Sequence, residues 1–159
     1  MTHLTIITVG SLKEKYLSDA AAEYKKRLGA YARVEEIELS EVRINNEDDR
    51  GEIAKALNRE ADRILASIPK DSCKIALCVE GREYSSPELA EVIRRADDEK
   101  GKVCLIIGSS YGLSDRVKSA CDIRLSVSKL TFPHQLMRVI LYETLYRSYT
   151  IIAGKRYHK

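Results

Sequence analysis

Residues 126–138 read SVSKLTFPHQLMR and join a short strand-like run, Ile123–Val127, to a long apolar helix that starts at Pro133. Strand-to-helix turns that cradle phosphates are rich in glycine, because the backbone must come close to the ligand. This link contains no glycine. It is built to hold something else, and its surroundings narrow what that is.

Upstream of the link, strand-like and helical runs alternate. The β-rich run HLTIITV (residues 3–9) ends at Gly10-Ser11, and Leu17, Ala20, Ala21, Tyr24 and Leu28 then recur at helical spacing up to Gly29. Val34–Leu39 reads as a second strand and the polar Ser40–Arg50 as a loop. Ile53, Leu57, Ala61, Ile64, Leu65 and Ile68 mark one face of a second helix that stops at Pro69. Lys74–Val79 is a third strand, closed by a predicted turn at Glu80-Gly81. Ser85, Pro87 and Glu88 then supply an N-cap, a first-turn proline and an N3 glutamate. A third helix is expected from Ser86, burying Leu89, Val92, Ile93 and Ala96. Lys102–Ile107 is a strand, Ser114–Ala120 a short helix and Ile123–Val127 the fifth strand. This alternation predicts the α/β class, a mostly parallel sheet with helices on both faces, since a crossover helix is the usual return between parallel strands. With 159 residues, 44% of them apolar, and no repeat or low-complexity segment, the expectation is a single domain spanning 1–159.

Downstream, Pro133 to about Tyr149 is apolar on every side: Leu136, Met137, Val139, Ile140, Leu141, Tyr142, Leu145, Tyr146 and Tyr149 surround the axis. Such a helix must be buried all round. The sequence favours a two-fold dimer packed through it, with Leu141 and Leu145 at the interface or in the core. The alternative is a central helix enclosed within one subunit.

Charge is uneven along the chain. Residues 116–159 hold nine Lys/Arg against two acidic residues, a balance of +7, which leaves −4 for residues 1–115 out of the total of +3. A basic C-terminal third points to a polyanionic partner, with a solvated basic tail as the plain alternative. Cys73, Cys78, Cys104 and Cys121 form no C-x-x-C pair and read as free thiols of a reducing compartment. No apolar run approaches the roughly 20 residues of a bilayer span, and MTHLTIITVG lacks the pattern of a signal peptide, so a soluble, cytoplasmic protein with no membrane partner is expected.

Candidate chemistry gathers after the strands, where parallel sheets bind ligands. Gly108-Ser-Ser110-Tyr-Gly112 matches the G-x-S-x-G nucleophile elbow, with Asp115 or Asp122 and then His134 in hydrolase order. Against that reading, the pattern is short, the two glycines equally suit a tight turn, and about a dozen residues separate Asp122 from His134 where hydrolases place whole elements. Neither G-x-G-x-x-G nor a P-loop occurs, and His3 and His134 have no partner at metal-ligand spacing, so no metal is expected.

The segments LCVEG (77–81), IIGSSYGL (106–113), SVSKLTFPHQ (126–135), Met137-Arg138 and the terminal Tyr157-His158-Lys159, with the opening VGSLKEKY (9–16), resemble the ribosomal RNA large-subunit methyltransferase H family across the whole chain. That resemblance implies the SPOUT fold with a C-terminal trefoil knot, a homodimer, and methylation of N3 of a pseudouridine in large-subunit (23S) rRNA, with S-adenosylmethionine as donor. It further implies that residues 127–132 (Val127, Ser128, Lys129, Leu130, Thr131 and Phe132) wrap the donor, with Leu77 and Gly108 as further walls. A sulfonium donor without phosphates needs no glycine-rich anion nest, which accounts for the unusual link. Tyr157 and His158 are implied as the groups that orient the base, and Arg138, Lys155, Arg156 and Lys159 as contacts to rRNA phosphates. Ser109 and Tyr111 stand where the family commonly has Gly and Asn, which should change the pocket's shape more than its chemistry.

Overall fold

The structure is a computed structural model that describes residues 1–159. Five strands, β1 (Thr2–Val9), β2 (Ala32–Leu39), β3 (Cys73–Glu83), β4 (Lys102–Ile107) and β5 (Ile123–Ser126), form one sheet in the order β2-β1-β4-β3-β5, every pair parallel. Five helices intervene or follow: α1 (Lys15–Leu28), α2 (Arg50–Ser67), α3 (Ser86–Lys100), α4 (Asp115–Ala120) and α5 (His134–Ile152). The α/β expectation holds, and the sheet is parallel throughout.

Period-two alternation divides the strand residues between two cores. Leu4 and Ile6 of β1 with Val103, Leu105 and Ile107 of β4 face one side, against Leu28 of α1, Leu89 and Ile93 of α3, and Leu141 and Leu145 of α5. Ile7 and Val9 with Cys104 and Ile106 face the other, against Ala61 and Ile64 of α2 and Val117 of α4. The capping box of α3 forms as expected: Ser85 Oγ accepts from Glu88 N at 3.3 Å and Glu88 Oε2 from Ser85 N at 2.7 Å.

Beyond shifts of one or two residues at strand and helix starts, three boundaries differ from expectation. β3 does not turn at Glu80-Gly81 but runs on to Glu83, with Leu125 of β5 opposite both Leu77 and Arg82 across a bulge. Gly81 serves close approach instead of a turn, since a Cβ there would lie 2.8 Å from the backbone of Arg124 and Leu125. β5 ends at Ser126, which releases Val127 into the link. α5 continues to Ile152, because nothing breaks it before Gly154, at φ +66°.

α5 packs against α1 and α3 on the sheet's first face. Leu141 and Leu145 are fully buried within the one chain, so they belong to its core and not to an interface. At about 100° per residue, Leu136, Ile140, Glu143, Arg147 and Ile151 fall on the opposite side. That stripe is only partly covered, with Leu136 exposed and Ile140 and Ile151 half-buried.

Candidate functional site

The carboxyl ends of β3, β4 and β5 open onto a cavity of about 320 Å³. One wall is the link of the opening stretch. Its shape is held by serine side chains: Ser126 Oγ donates to Ser128 O at 3.0 Å, and Ser128 Oγ accepts from Leu130 N at 3.0 Å. Pro133, at φ −53°, then delivers the chain into α5.

A second wall is the Gly108–Gly112 knuckle. Gly112 N donates to Ser109 O at 2.8 Å and Gly112 sits at φ +84°. A Cβ on Gly108 would come 2.2 Å from Gly112 O, so the two glycines are explained by a turn too tight for side chains. The knuckle is anchored from behind by Glu60 of α2. This carboxyl is 4% exposed, accepts from Val42 N at 2.9 Å and bonds the Ser109 side chain. Burial pushes Glu60 above the usual carboxylate range, opposed by those hydrogen bonds. Ser109, one of the two departures from the family pattern, is thereby 5% exposed and tied to the scaffold.

Of the residues expected around the donor, Leu77, Gly108, Val127, Ser128, Leu130, Thr131 and Phe132 line this cavity together. Lys129 does not line it: its side chain is 89% exposed and its ammonium stands 4.0 Å from Glu83. Residues not singled out as cavity walls complete the lining, among them Ile107, Leu113, Met137 and His134. Apolar type alone does not separate Ile107 and Leu113 from core residues, but the place of Ile107 at the end of β4 and of Leu113 in the loop that follows is the available signal. Glu80 and Lys118, also on the wall, form an ion pair that lowers Glu80.

Arg138 is a correction. It is 2% exposed, and its guanidinium donates to Glu38 Oε2 at 3.0 Å and to Gly10 O at 2.7 Å. In this chain it braces the ends of β1 and β2 against α5 and offers nothing to a phosphate. Its position on the helix stripe that faces the sheet decides this.

The C-terminal tail lies elsewhere. Tyr157 donates to Glu143 Oε1 at 3.0 Å, meets Tyr146 edge-on at 4.8 Å and carries Arg147 over its ring at 4.7 Å. Burial and the bond to Glu143 push its phenol up to about 12, so it is a hydrogen-bond donor and not a base. His158 Nδ1 is 3.3 Å from Arg147 Nη1. Lys155, Arg156 and Lys159 are exposed. Along α5, Arg147 is roughly 20 Å from His134 at the cavity, at the rise of an α-helix. Within one chain, Tyr157 and His158 do not line this cavity.

The hydrolase triad does not assemble. Ser110 Oγ faces Glu41 Oε1 at 3.5 Å, while Asp122, at the amino end of β5, accepts from Lys74 N at 2.8 Å, at the opposite end of the strands from the cavity.

A family model described as a predicted SPOUT methyltransferase matches residues 2–158. The chain is 46% identical over 158 residues to the ribosomal RNA large subunit methyltransferase H of Bacillus pumilus, covering 99% of each. It is 46% identical over 156 residues to the protein of the same name from Caldicellulosiruptor bescii, covering 98% of this chain and 99% of that one. Among solved structures, it resembles one described as a probable methyltransferase from Bordetella pertussis, with a TM-score of 0.57 at 16% identity, covering 93% of this chain and 96% of that one. A probable methylase family protein from Haemophilus influenzae gives a TM-score of 0.53 at 16% identity, covering 98% and 70%. A parallel sheet with a cavity at its carboxyl end walled by a glycine-free link, together with full-length identity at this level, means that the chain belongs to the SPOUT methyltransferases and, within them, to the ribosomal RNA large-subunit methyltransferase H family.

Proposed function

We propose that this protein methylates N3 of a pseudouridine in large-subunit (23S) rRNA, with S-adenosylmethionine as donor, in the cytoplasm and as a homodimer. The observation that carries the reading is the cavity itself. Its lining is apolar from Leu77, Ile107, Leu113, Val127, Leu130, Phe132 and Met137, and its one wall cation, Lys118, is already paired with Glu80. Such a site suits an adenosyl group and a sulfonium, and offers no free cation to a triphosphate.

When bound, the donor supplies a methyl group on a good leaving group, so the protein's task is alignment and removal of the N3 proton. Val127–Phe132 and Leu77 would enclose the adenosyl part, and the Gly108–Gly112 knuckle would close the other side. The half-covered Leu136, Ile140 and Ile151 stripe of α5 supports a two-fold partner. Because Tyr157 and His158 pack against Glu143, Tyr146 and Arg147 of α5 and line no part of their own cavity, we assign them to the cavity of the partner, where they would orient the base. Lys155, Arg156 and Lys159 would then meet rRNA phosphates beside it.

Calorimetry tests the donor reading directly. S-adenosylmethionine and S-adenosylhomocysteine should release heat on binding, and ATP should bind at least about tenfold more weakly. Labelling of Ser110 by a fluorophosphonate, with no heat from either adenosyl ligand, would return the elbow motif to a hydrolase role.

A further inference from the structure

We propose that His134 is the proton acceptor for N3 of the methylated base, and that the base enters through a second, polar cavity on the far side of His134. The inference rests on the donor reading above. The second cavity, of about 370 Å³, lies at the carboxyl ends of β1 and β2 and is lined by Gly10, Ser11, Lys13, Glu41, His134 and Gln135 among others. His134 lines both cavities, so its ring stands at the boundary between them.

The imidazole and a carboxylate converge there. A Cβ built on Gly10 would lie 3.5 Å from Glu41 Oε2 and 3.9 Å from His134 Nε2, and Gly10 sits at φ +88° with no side chain between them. Glu41 is held in place from both sides. Glu60 fixes Val42, the next residue, and Ser109, the neighbour of Ser110, whose hydroxyl lies 3.5 Å from Glu41 Oε1. The buried carboxyl of Glu60 thus serves to place the Glu41 and Ser110 pair beside the ring.

Among the titratable side chains of the donor cavity, only His134 has a nitrogen free to take the proton. The other titratable side chains on the donor cavity are Cys78, Glu80, Tyr111 and Lys118. Glu80 and Lys118 are spent on each other. Burial raises the Cys78 thiol and the Tyr111 phenol, so each is protonated and has no free site for the proton. An imidazole nitrogen can take a proton and pass it on.

The second cavity also fits a uracil-type edge, in which one N–H stands between two carbonyl oxygens. The Ser11 hydroxyl, the Lys13 ammonium and the Gln135 amide offer donors around an acceptor at His134, and Lys13 N already fixes Gln135 Oε1 at 3.0 Å. In the reaction, N3 gives its proton to His134 Nε2 and its electron pair to the methyl carbon, while the electrons of the broken carbon–sulfur bond stay on sulfur. Glu41 stabilises the resulting imidazolium, which releases its proton to solvent.

His134→Gln keeps a polar side chain that cannot take the proton. This variant should bind S-adenosylhomocysteine within about threefold of wild type by calorimetry, while single-turnover methylation of ribosomes at saturating donor falls about 10²- to 10⁴-fold. Glu41→Gln should lose about tenfold. A second readout is the ring ¹⁵N spectrum of wild type, in which S-adenosylhomocysteine with pseudouridine monophosphate should shift Nε2 of His134. Turnover of His134→Gln within tenfold of wild type, or a ring shift confined to His158, overturns the assignment. Failure of wild type to bind the adenosyl ligand at all would instead remove the donor reading beneath it.

Discussion

Glu60 carries a carboxylate into the protein with no ion pair to offset its desolvation, and its hydrogen bonds from Val42 and Ser109 only partly compensate. Its folded pKa is raised by burial and by the neighbouring Glu41, against a lowering by Arg63. Because the shift is upward, this group's contribution to stability is fully present below the unfolded carboxyl's pKa and is lost as pH rises through the higher folded value. Glu60→Gln, which keeps an acceptor for Val42 N–H, should therefore melt a few degrees above wild type at pH 7 and show a smaller difference at pH 4. Equal differences at the two pH values in calorimetric scans would mean that the carboxyl is not strained by burial. A charged residue at a helical apolar spacing is visible in the sequence, but its burial is not, since the Ser40–Arg50 segment that covers it has no periodicity of its own.

α5 shows how far helical patterning goes. The all-round apolar character was readable residue by residue, yet it could not separate the face that meets α1, α3 and the sheet from the face left over. The structure assigns Leu141 and Leu145 to the first and Leu136, Ile140 and Ile151 to the second. Leu141→Asp should accordingly fail to fold, because an unpaired charge in the core costs several kcal/mol. Ile140→Asp should fold with a near-wild-type circular dichroism spectrum but sediment as a monomer. A folded dimer for Ile140→Asp would show that the outer stripe is not the interface. The same helix explains the fate of Arg138, for which the family resemblance implied a phosphate contact, whereas its phase on the helix turns it inward to Glu38 and Gly10.

For the assembled molecule, the separation between tail and cavity makes a prediction about subunits. Deleting Tyr157–Lys159 should leave donor binding intact and reduce methyl transfer steeply. Gly108→Ala, whose Cβ would lie 2.2 Å from Gly112 O, should abolish donor binding while leaving the tail intact. Co-expressed, the two variants should recover about a quarter of wild-type turnover, since half of the dimers are mixed and each has one intact cavity facing an intact tail. No recovery above the separate variants would place the tail over its own cavity, after a rearrangement of α5's end.

The alternation of β-rich and 3.6-period runs was enough for the α/β class and for nearly every element, because burial on both faces of a parallel sheet writes continuous apolar strands and one-sided helices into the chain. The motifs around 77–81, 106–113 and 126–135 were enough for the family. Strand order, the bulge that carries β3 past Gly81, the inward turn of Arg138 and the distance of Tyr157 and His158 from the cavity came only with the tertiary structure. The reason is that local sequence sets periodicity and capping over a few turns, whereas these features depend on contacts between residues up to 128 positions apart, such as Arg138 with Gly10, whose pairing no local pattern encodes.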